Sequence, residues 1–160
     1  MEKNKETMKA VLVDIDGTLV SLTDFDYSMV QGAMSTQMME YLRFWNKETM
    51  KSTVLTAGVE MLKRFKEEGY KLVFLTSRGV ECKPYTMRKL KEIGVADMVD
   101  SIWHRPVRMT GLSSAEYKAI MIANLIKKGY VFEWAMDDED KNLVVMENMG
   151  MKTIDAKVWW

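Results

Sequence analysis

The stretch that decides the fold is Val11-Leu12-Val13-Asp14-Ile15-Asp16-Gly17-Thr18, in which three aliphatic residues run directly into two aspartates, a glycine and a threonine. A short apolar run that ends at turn-forming residues is typical of a buried strand. In open parallel sheets, ligands bind beyond the carboxyl ends of the strands. We therefore expect Asp14 and Asp16 to lie at a functional edge of a sheet.

The rest of the chain alternates helical stretches with short apolar runs. Leu72–Leu75 and Val131–Met136 have the character of buried strands. Four helical stretches end at a glycine followed by an apolar run, and these glycines are Gly69, Gly94, Gly129 and Gly150. Glycine is the common residue just past a helix. This alternation predicts a three-layer, doubly wound α/β fold with a mostly parallel sheet.

Several helix starts are also visible. Pro84 suits a first helical position, and a helix is expected around Leu55–Glu68. Ser113 and Glu116 form a capping-box pattern. The pattern predicts a helix over Ser114–Lys128.

One stretch, Ser21–Ser52, departs from the alternation. It carries apolar residues at helical spacing, namely Met34, Met38, Tyr41, Leu42 and Trp45. A structureless loop of this length is uncommon inside a compact domain. We expect a single domain over residues 1–160, with a small helical cap inserted at about residues 21–52.

Composition excludes several classes of protein. Lys plus Arg equals Asp plus Glu at 23 each, whereas a protein that holds long nucleic acid needs a basic excess. The single cysteine, Cys82, cannot form an internal disulfide. The charged N-terminus lacks a signal-peptide pattern, and no apolar run approaches the length of a membrane span. We expect a cytoplasmic protein without a membrane partner.

Polar residues follow each of the three predicted strands. Thr76-Ser77-Arg78 follows the second strand and Asp137-Asp138-Glu139-Asp140 the last, while Lys118 lies in the helix before the last strand. Carboxylates that meet at one edge repel each other unless a cation lies among them. Oxygen ligands around an open site suit Mg²⁺. A hydroxyl at Thr76 and an ammonium at Lys118 would then suit a phosphoryl group.

In their order along the chain, these residues resemble the four motifs of the haloacid dehalogenase superfamily. They are Asp14–Thr18, Thr76, Lys118 and Asp137-Asp138. The nearest resemblance is to the phosphatase domain of phage-type polynucleotide kinase/phosphatases, because of Thr76–Arg78, Ala135–Asp138 and the spacing through Met149-Gly150. Two departures are a longer insert after Asp14 and the lack of a kinase P-loop. In addition, no arginine in Val20–Leu42 matches the one that this subgroup carries.

The resemblance implies a role for each motif residue. Asp14 would be the nucleophile that forms a phosphoaspartate, and Asp16 the general acid and base. Thr76 and Lys118 would hold the phosphoryl group. The substrate-binding set would be Thr76, Ser77, Arg78 and Lys118, and the Mg²⁺ set would be Asp14, Asp16, Asp137 and Asp138.

The expected activity is Mg²⁺-dependent hydrolysis of a phosphate monoester. The substrate would be a nucleotide or the 3′-phosphate end of a polynucleotide. A phosphatase of sugar phosphates or other small metabolites is the alternative among enzymes. A non-catalytic phosphate-binding module is the alternative from another class.

Other conspicuous residues have structural explanations that compete with functional ones. His104 is expected in a loop, and Cys82 is expected to be inert or exposed. The arginines Arg105 and Arg108 are expected to be solvated loop residues rather than ligands of a nucleotide phosphate. The aromatic residues of the insert, Tyr41, Phe44 and Trp45, are expected to form its core rather than to stack on a base. Trp159 and Trp160 would pack against the body of the protein or against a second subunit.

Overall fold

The computed structural model describes residues 8–21 and 38–160, and side chains from residue 42 in the second range. In this part of the chain the strands are β1 (Met8–Val13), β2 (Lys71–Gly79), β3 (Val99–Arg105), β4 (Tyr130–Asp137) and β5 (Lys152–Asp155). They form one sheet in the order β3-β2-β1-β4-β5, and every neighbouring pair is parallel. The predicted doubly wound, parallel α/β fold is confirmed.

The helices of the same residues are α1 (Met38–Lys51), α2 (Thr56–Glu67), α3 (Lys83–Glu92), α4 (Ser114–Lys127) and α5 (Asp140–Asn148). Short 3₁₀ turns lie at Val80–Cys82, Ala96–Met98, Val107–Met109 and Ala156–Trp159. Residues of α4 and α5 pack on one face of the sheet. Residues of α2 and α3 pack on the other face. None of the helices among the described residues is both long and apolar enough to span a membrane.

Strand β1 lies at the centre of the sheet, and its last four residues have no exposed surface. Ala10 and Leu12 belong to the core beneath α4, whereas Val11 and Val13 belong to the core beneath α2. A strand that is covered on both faces needs a continuous apolar run. That requirement explains why the sequence just before Asp14 contains no polar residue.

The predicted helix boundaries hold with small shifts. Ser113 and Glu116 form the complete capping box, and α3 begins at Lys83 with Pro84 in its first turn. The four terminating glycines have φ angles of 91°, 80°, 113° and 94° in chain order. These angles lie in the left-handed region that side chains with a Cβ disfavour.

Two details of the prediction need correction. Thr76–Arg78 belong to β2, which continues to Gly79 with an irregular register after Leu75. His104 lies in β3 and is buried rather than in a loop. The apolar run after Gly94, for which no strand was predicted, contains a 3₁₀ turn and the start of β3 at Val99.

The insert is described only in its second half. Helix α1 agrees with the helical spacing of Met38, Leu42 and Trp45. Met34 and the side chain of Tyr41 lie outside the described residues. The cap at residues 21–52 and the single domain over 1–160 therefore stay predictions.

Candidate active site

The carboxyl ends of β1 and β4 meet where the strand order reverses, which is the usual ligand position in such sheets. Val13 pairs with Met136, and the Asp14 amide donates to the Met136 carbonyl at 3.0 Å. One carboxylate oxygen from each of Asp14, Asp137 and Asp138 lies within 4.8 Å of the others. The adjacency of the two strands thus brings together acidic residues that are more than a hundred positions apart in sequence.

Lys118 is the cation of this cluster. It lies in the first half of α4, and its side chain is almost wholly buried. Its Nζ donates to Asp14 Oδ1 at 2.9 Å and to Asp137 Oδ2 at 2.7 Å. Burial alone would lower the pKa of Lys118, but Asp137 and Asp14 raise it above its ordinary value. Lys118 is therefore a fixed ammonium at this edge of the sheet.

The cluster carries more negative than positive charge. Burial, and then the neighbouring Asp137, raise the pKa of Asp14 well above its ordinary value, although Lys118 opposes them. Burial is also the main reason why the pKa of Asp138 rises to about 6. Three carboxylates around one ammonium leave room in the charge balance for a divalent cation. The donors are oxygens, which fit Mg²⁺.

Side chains and main-chain groups hold the carboxylates in place. Thr18 donates its hydroxyl to Asp14 Oδ2 at 3.1 Å. Asn142 donates to both oxygens of Asp137, and the Glu139 amide donates to Asp137 Oδ1. Asp137 has no exposed surface. These contacts fix the side chain of Asp137, so that it orients Lys118.

Gly17 permits the close approach of the two acidic loops. Its φ is 77°, and an ideal Cβ at this position would lie 2.4 Å from Asp138 Oδ2. Any side chain would collide with the carboxylate. The glycine therefore allows Asp138 to lie against the loop that carries Asp14 and Asp16.

Asp16 lies outside the carboxylate cluster and is held by Arg78. The Nε and Nη2 atoms of Arg78 donate to the two oxygens of Asp16 at 2.8 and 2.7 Å. Its Nη1 donates to Thr49 and Thr86, and its guanidinium lies 4.5 Å from the centre of the Trp45 ring. Arg78 is 3% exposed, so the structure directs the guanidinium to Asp16 rather than to an open surface.

The two hydroxyls that follow Leu75 have different surroundings. Thr76 is buried, and its hydroxyl accepts from the Arg78 amide at 3.1 Å. Ser77 forms a 2.6 Å hydrogen bond with Ser114, at the start of α4. Asn142 also donates to Ser114, so a polar chain links Ser77 with Asp137.

Sequence reasoning missed several residues of this network. Four polar residues of helices contact predicted site residues, and they are Thr49, Thr86, Ser114 and Asn142. Polar residues of these types are common in helices. Their spacing in sequence carries no signal of these contacts. Only the packing of α1, α3, α4 and α5 around the sheet reveals them.

The structural explanations of other residues are partly right. Trp45 is buried and forms an edge-to-face contact with Phe44. Cys82 is buried, which agrees with the expected inert thiol and not with the exposed one. Arg108 is exposed, as expected. Arg105 instead donates to the Leu112 carbonyl and lies 4.8 Å from the centre of the Tyr117 ring.

The two C-terminal tryptophans both contact the body of the protein, Trp159 by packing and Trp160 by a hydrogen bond. Trp159 lies on the core beneath α2. The indole nitrogen of Trp160 donates to the Gly17 carbonyl at 2.9 Å. The alternative of a second subunit is not needed to explain these contacts.

The parallel sheet and the acidic cluster at its reversal point define a protein of the haloacid dehalogenase-like α/β class. The family model of the haloacid dehalogenase (HAD) superfamily, subfamily IIIB (acid phosphatase), matches residues 1–157. The chain belongs to this family, and the motif resemblance had predicted the superfamily. No curated protein is similar enough in sequence to match it.

Solved structures agree on the fold. A chain of the Pnkp1/Rnl/Hen1 complex has a TM-score of 0.72 at 20% identity, with 97% of this chain and 48% of that chain covered. This chain thus spans about half the length of that one. The class C acid phosphatase from Bacillus anthracis, with tungstate bound, has a TM-score of 0.59 at 14% identity, with coverages of 95% and 67%. A HAD family enzyme from Bacteroides thetaiotaomicron, a mutant in complex with magnesium and inorganic phosphate, has a TM-score of 0.59 at 14% identity, with coverages of 92% and 93%.

The surroundings of His104 predict that its pKa is lowered. Its Nε2 lies 3.1 Å from the Thr86 hydroxyl, which also accepts from Arg78. Burial and then the positive charges of Arg78 and Lys83 lower the pKa of His104 from 6.5 to about 4. His104 is the only histidine of the sequence, so a proton NMR titration of its ring should show one midpoint near 4. A midpoint near 6.5 would contradict this environment.

The same pKa gives the sign of the pH dependence of stability. As pH falls below 6.5, the unfolded chain takes up the imidazole proton before the folded chain does. The neutral imidazole thus stabilises the fold above pH 6.5, and this contribution is lost as pH falls toward 4. The free energy of unfolding, measured by urea denaturation, should depend on pH more steeply in the wild type than in His104→Gln. If the free energy of unfolding depended equally on pH in the two proteins, His104 would not be the cause of this dependence.

Replacement of Lys118 tests whether it balances the buried charges. We expect Lys118→Met to lower the free energy of unfolding by about 3–5 kcal/mol, because Asp14 and Asp137 lose their shared cation. Urea denaturation in the presence of a chelator measures this change. Lys127→Met is the matched control, because Lys127 is exposed on the same helix, and it should change stability by less than about 0.5 kcal/mol. Similar losses in both variants would contradict the assignment.

Proposed function

We propose that this protein is a phosphatase that hydrolyses phosphate monoesters through a phosphorylated Asp14 and with the help of Mg²⁺. The observation that best supports this proposal is the position of Asp14 next to Lys118 and Asp138, in a cluster with excess negative charge. A carboxylate nucleophile must approach a phosphate dianion, so cations at this place are required. Lys118 is already there.

The first step of the proposed reaction is attack of an Asp14 carboxylate oxygen on phosphorus. A bond from this oxygen to phosphorus forms while the bond from phosphorus to the leaving oxygen breaks. The protonated form of Asp16 donates its proton to the leaving oxygen. Lys118 and the Thr76 hydroxyl bind the phosphoryl oxygens, and Ser77 lies beside them.

In the second step, water attacks the phosphorus of the phosphoaspartate. The Asp16 carboxylate accepts a proton from this water, the bond between phosphorus and Asp14 breaks, and inorganic phosphate leaves. Both Asp16 oxygens accept hydrogen bonds from Arg78, so the second step uses this pair as it stands, whereas the first step requires one of the two contacts to open when Asp16 carries its proton. Arg78 thus acts through Asp16, as a residue that orients the base.

Magnesium, when bound, would offset the negative charge of the phosphate and of the carboxylates. Asp14 and Asp138 would supply side-chain oxygens, and the Asp16 backbone would supply a carbonyl, as the family resemblance implies. Asp137 would support them through Lys118. The oxygen-only donor set and the surplus negative charge are the observations that support this assignment.

The proposed substrate is a nucleotide or the 3′-phosphate end of a polynucleotide. Support comes from the motif resemblance and from the structural similarity to a chain of the Pnkp1/Rnl/Hen1 RNA repair complex. The arginines add little support, because Arg78, which was predicted to bind the substrate, and Arg105 both contact other parts of the protein. Balanced overall charge limits the contact to a short stretch of nucleic acid.

Substitution of the nucleophile tests the reaction. Asp14→Asn should lower the rate of phosphate release at least about a thousandfold, because an amide cannot form the acyl phosphate. A chelator should abolish release by the wild type, and added Mg²⁺ should restore it. Asp97→Asn, which changes an exposed carboxylate, should leave the rate unchanged. Undiminished release by folded Asp14→Asn would refute the mechanism.

A comparison of substrates tests the proposed specificity. We expect kcat/KM for nucleoside 3′-monophosphates or 3′-phosphorylated oligonucleotides to exceed that for sugar phosphates at least about tenfold, a difference that contacts beyond the phosphate can supply. Release of inorganic phosphate at equal Mg²⁺ measures each value. Preference for sugar phosphates would favour the metabolite phosphatase, and binding without turnover of any of them would favour the non-catalytic module.

A further inference from the structure

The residues after β5 contact both acidic loops of the candidate site. The 3₁₀ turn Ala156–Trp159 follows β5 directly and is capped by Asp155, which accepts from the Lys157 amide at 2.9 Å. Ala156 has no exposed surface, and Trp159 packs on the core beneath α2. The segment Asp155–Trp160, here called the C-terminal turn, is therefore anchored to the body of the protein.

The first contact of the C-terminal turn is with the loop after β1. The Trp160 indole donates to the Gly17 carbonyl at 2.9 Å. Gly17 lies one residue after Asp16, whose carbonyl is a proposed metal ligand. A fixed Gly17 peptide thus restricts the orientation of the backbone that follows Asp16.

The second contact is with the loop after β4. Lys157 Nζ donates to the Asp138 carbonyl at 3.0 Å and to Asp140 Oδ1 at 2.6 Å. It also lies 3.0 Å from Asp155 Oδ1. The ammonium thus ties the backbone of Asp138 to the end of β5 and to the start of α5.

The two contacted residues lie against each other. The space that a Cβ on Gly17 would need is filled by the Asp138 carboxylate. The parallel ladder between β1 and β4 ends at Val13 and Met136, with one further hydrogen bond from the Asp14 amide to the Met136 carbonyl. Beyond this bond, side-chain contacts can hold the two loops at a fixed separation. Trp160 and Lys157 contact one loop each, and a single turn of backbone connects them.

We propose that Lys157 and Trp160 are positioning residues that hold the Gly17 and Asp138 backbones at the separation that Mg²⁺ requires. The proposal rests on the proposed function, because it concerns the same metal site. Mg²⁺ demands near-ideal octahedral geometry, so a shift of one loop relative to the other weakens binding. Groups that orient metal ligands typically contribute about ten- to a hundredfold to metal affinity or activity.

Three variants separate this role from general stability. Trp160→Phe keeps an aromatic ring and removes the indole N–H, while Lys157→Gln removes the ammonium. Val158→Ala is the matched control, because Val158 belongs to the same turn and is 76% exposed. Thermal denaturation followed by circular dichroism identifies any variant that fails to fold.

Isothermal titration calorimetry with Mg²⁺ alone gives the decisive readout. We expect the Kd for Mg²⁺ to rise about tenfold in Trp160→Phe and in Lys157→Gln, and to stay unchanged in Val158→Ala. In the double variant the increase should be less than the product of the two single increases, because release of either loop already spoils the shared geometry. Wild-type Kd values in both folded single variants would overturn the proposal, as would strictly multiplicative effects.

Activity measurements distinguish the proposal from a substrate-stacking role. Trp160 is 63% exposed, so its ring could also contact a planar substrate. A rise in KM with Trp160→Ala but not with Trp160→Phe, at an unchanged Kd for Mg²⁺, would overturn positioning in favour of stacking. If the wild type binds Mg²⁺ and hydrolyses the phosphate monoester, while the single variants bind Mg²⁺ as tightly as the wild type does, only this inference fails. If the wild type neither binds nor requires Mg²⁺, the proposed function fails too.

Discussion

The structure depends on one buried ammonium that two carboxylates share. Lys118 lies within 2.9 Å of both Asp14 and Asp137, and neither carboxylate could be buried alone without a large free-energy cost. This requirement constrains three elements at once. β1 and β4 must be neighbours, and α4 must cross them with Lys118 directed toward the sheet.

The second charge pair, Asp16 with Arg78, connects other elements of the fold. Asp16 and Arg78 join the loop after β1 to the end of β2, while Thr49 of α1 and Thr86 of α3 accept from the same guanidinium. Asp14 and Asp16 are two positions apart, yet one is bound to α4 and the other to the α1–α3 side. The two networks allow neighbouring carboxylates to have different roles, because their environments differ.

Sequence reasoning succeeded where one short pattern implied one structure. Val11–Thr18 predicted a buried strand followed by acidic residues, and Ser113 with Glu116 predicted the start of α4. It did not reveal the partners of Arg78, and it was wrong about Arg105 and His104, because these surroundings depend on packing between distant segments. The residue types indicated polar contacts, but the partners lie far away in the sequence. The roles of the acidic residues stay predictions.

The contacts of the C-terminal turn extend this view of the site. Main-chain hydrogen bonds position β1 and β4, but the acidic loops begin where these strands end. Beyond that point Gly17 supplies space, while Lys157 and Trp160 supply hydrogen bonds to the backbone of the loops. Gly17 belongs to the first family motif, whereas Lys157 and Trp160 lie outside all four, so residues beyond the motifs also support the loops that carry the proposed ligands. In a fold that many phosphatases share, such supports are a place where one member can differ from another without change to its reacting groups.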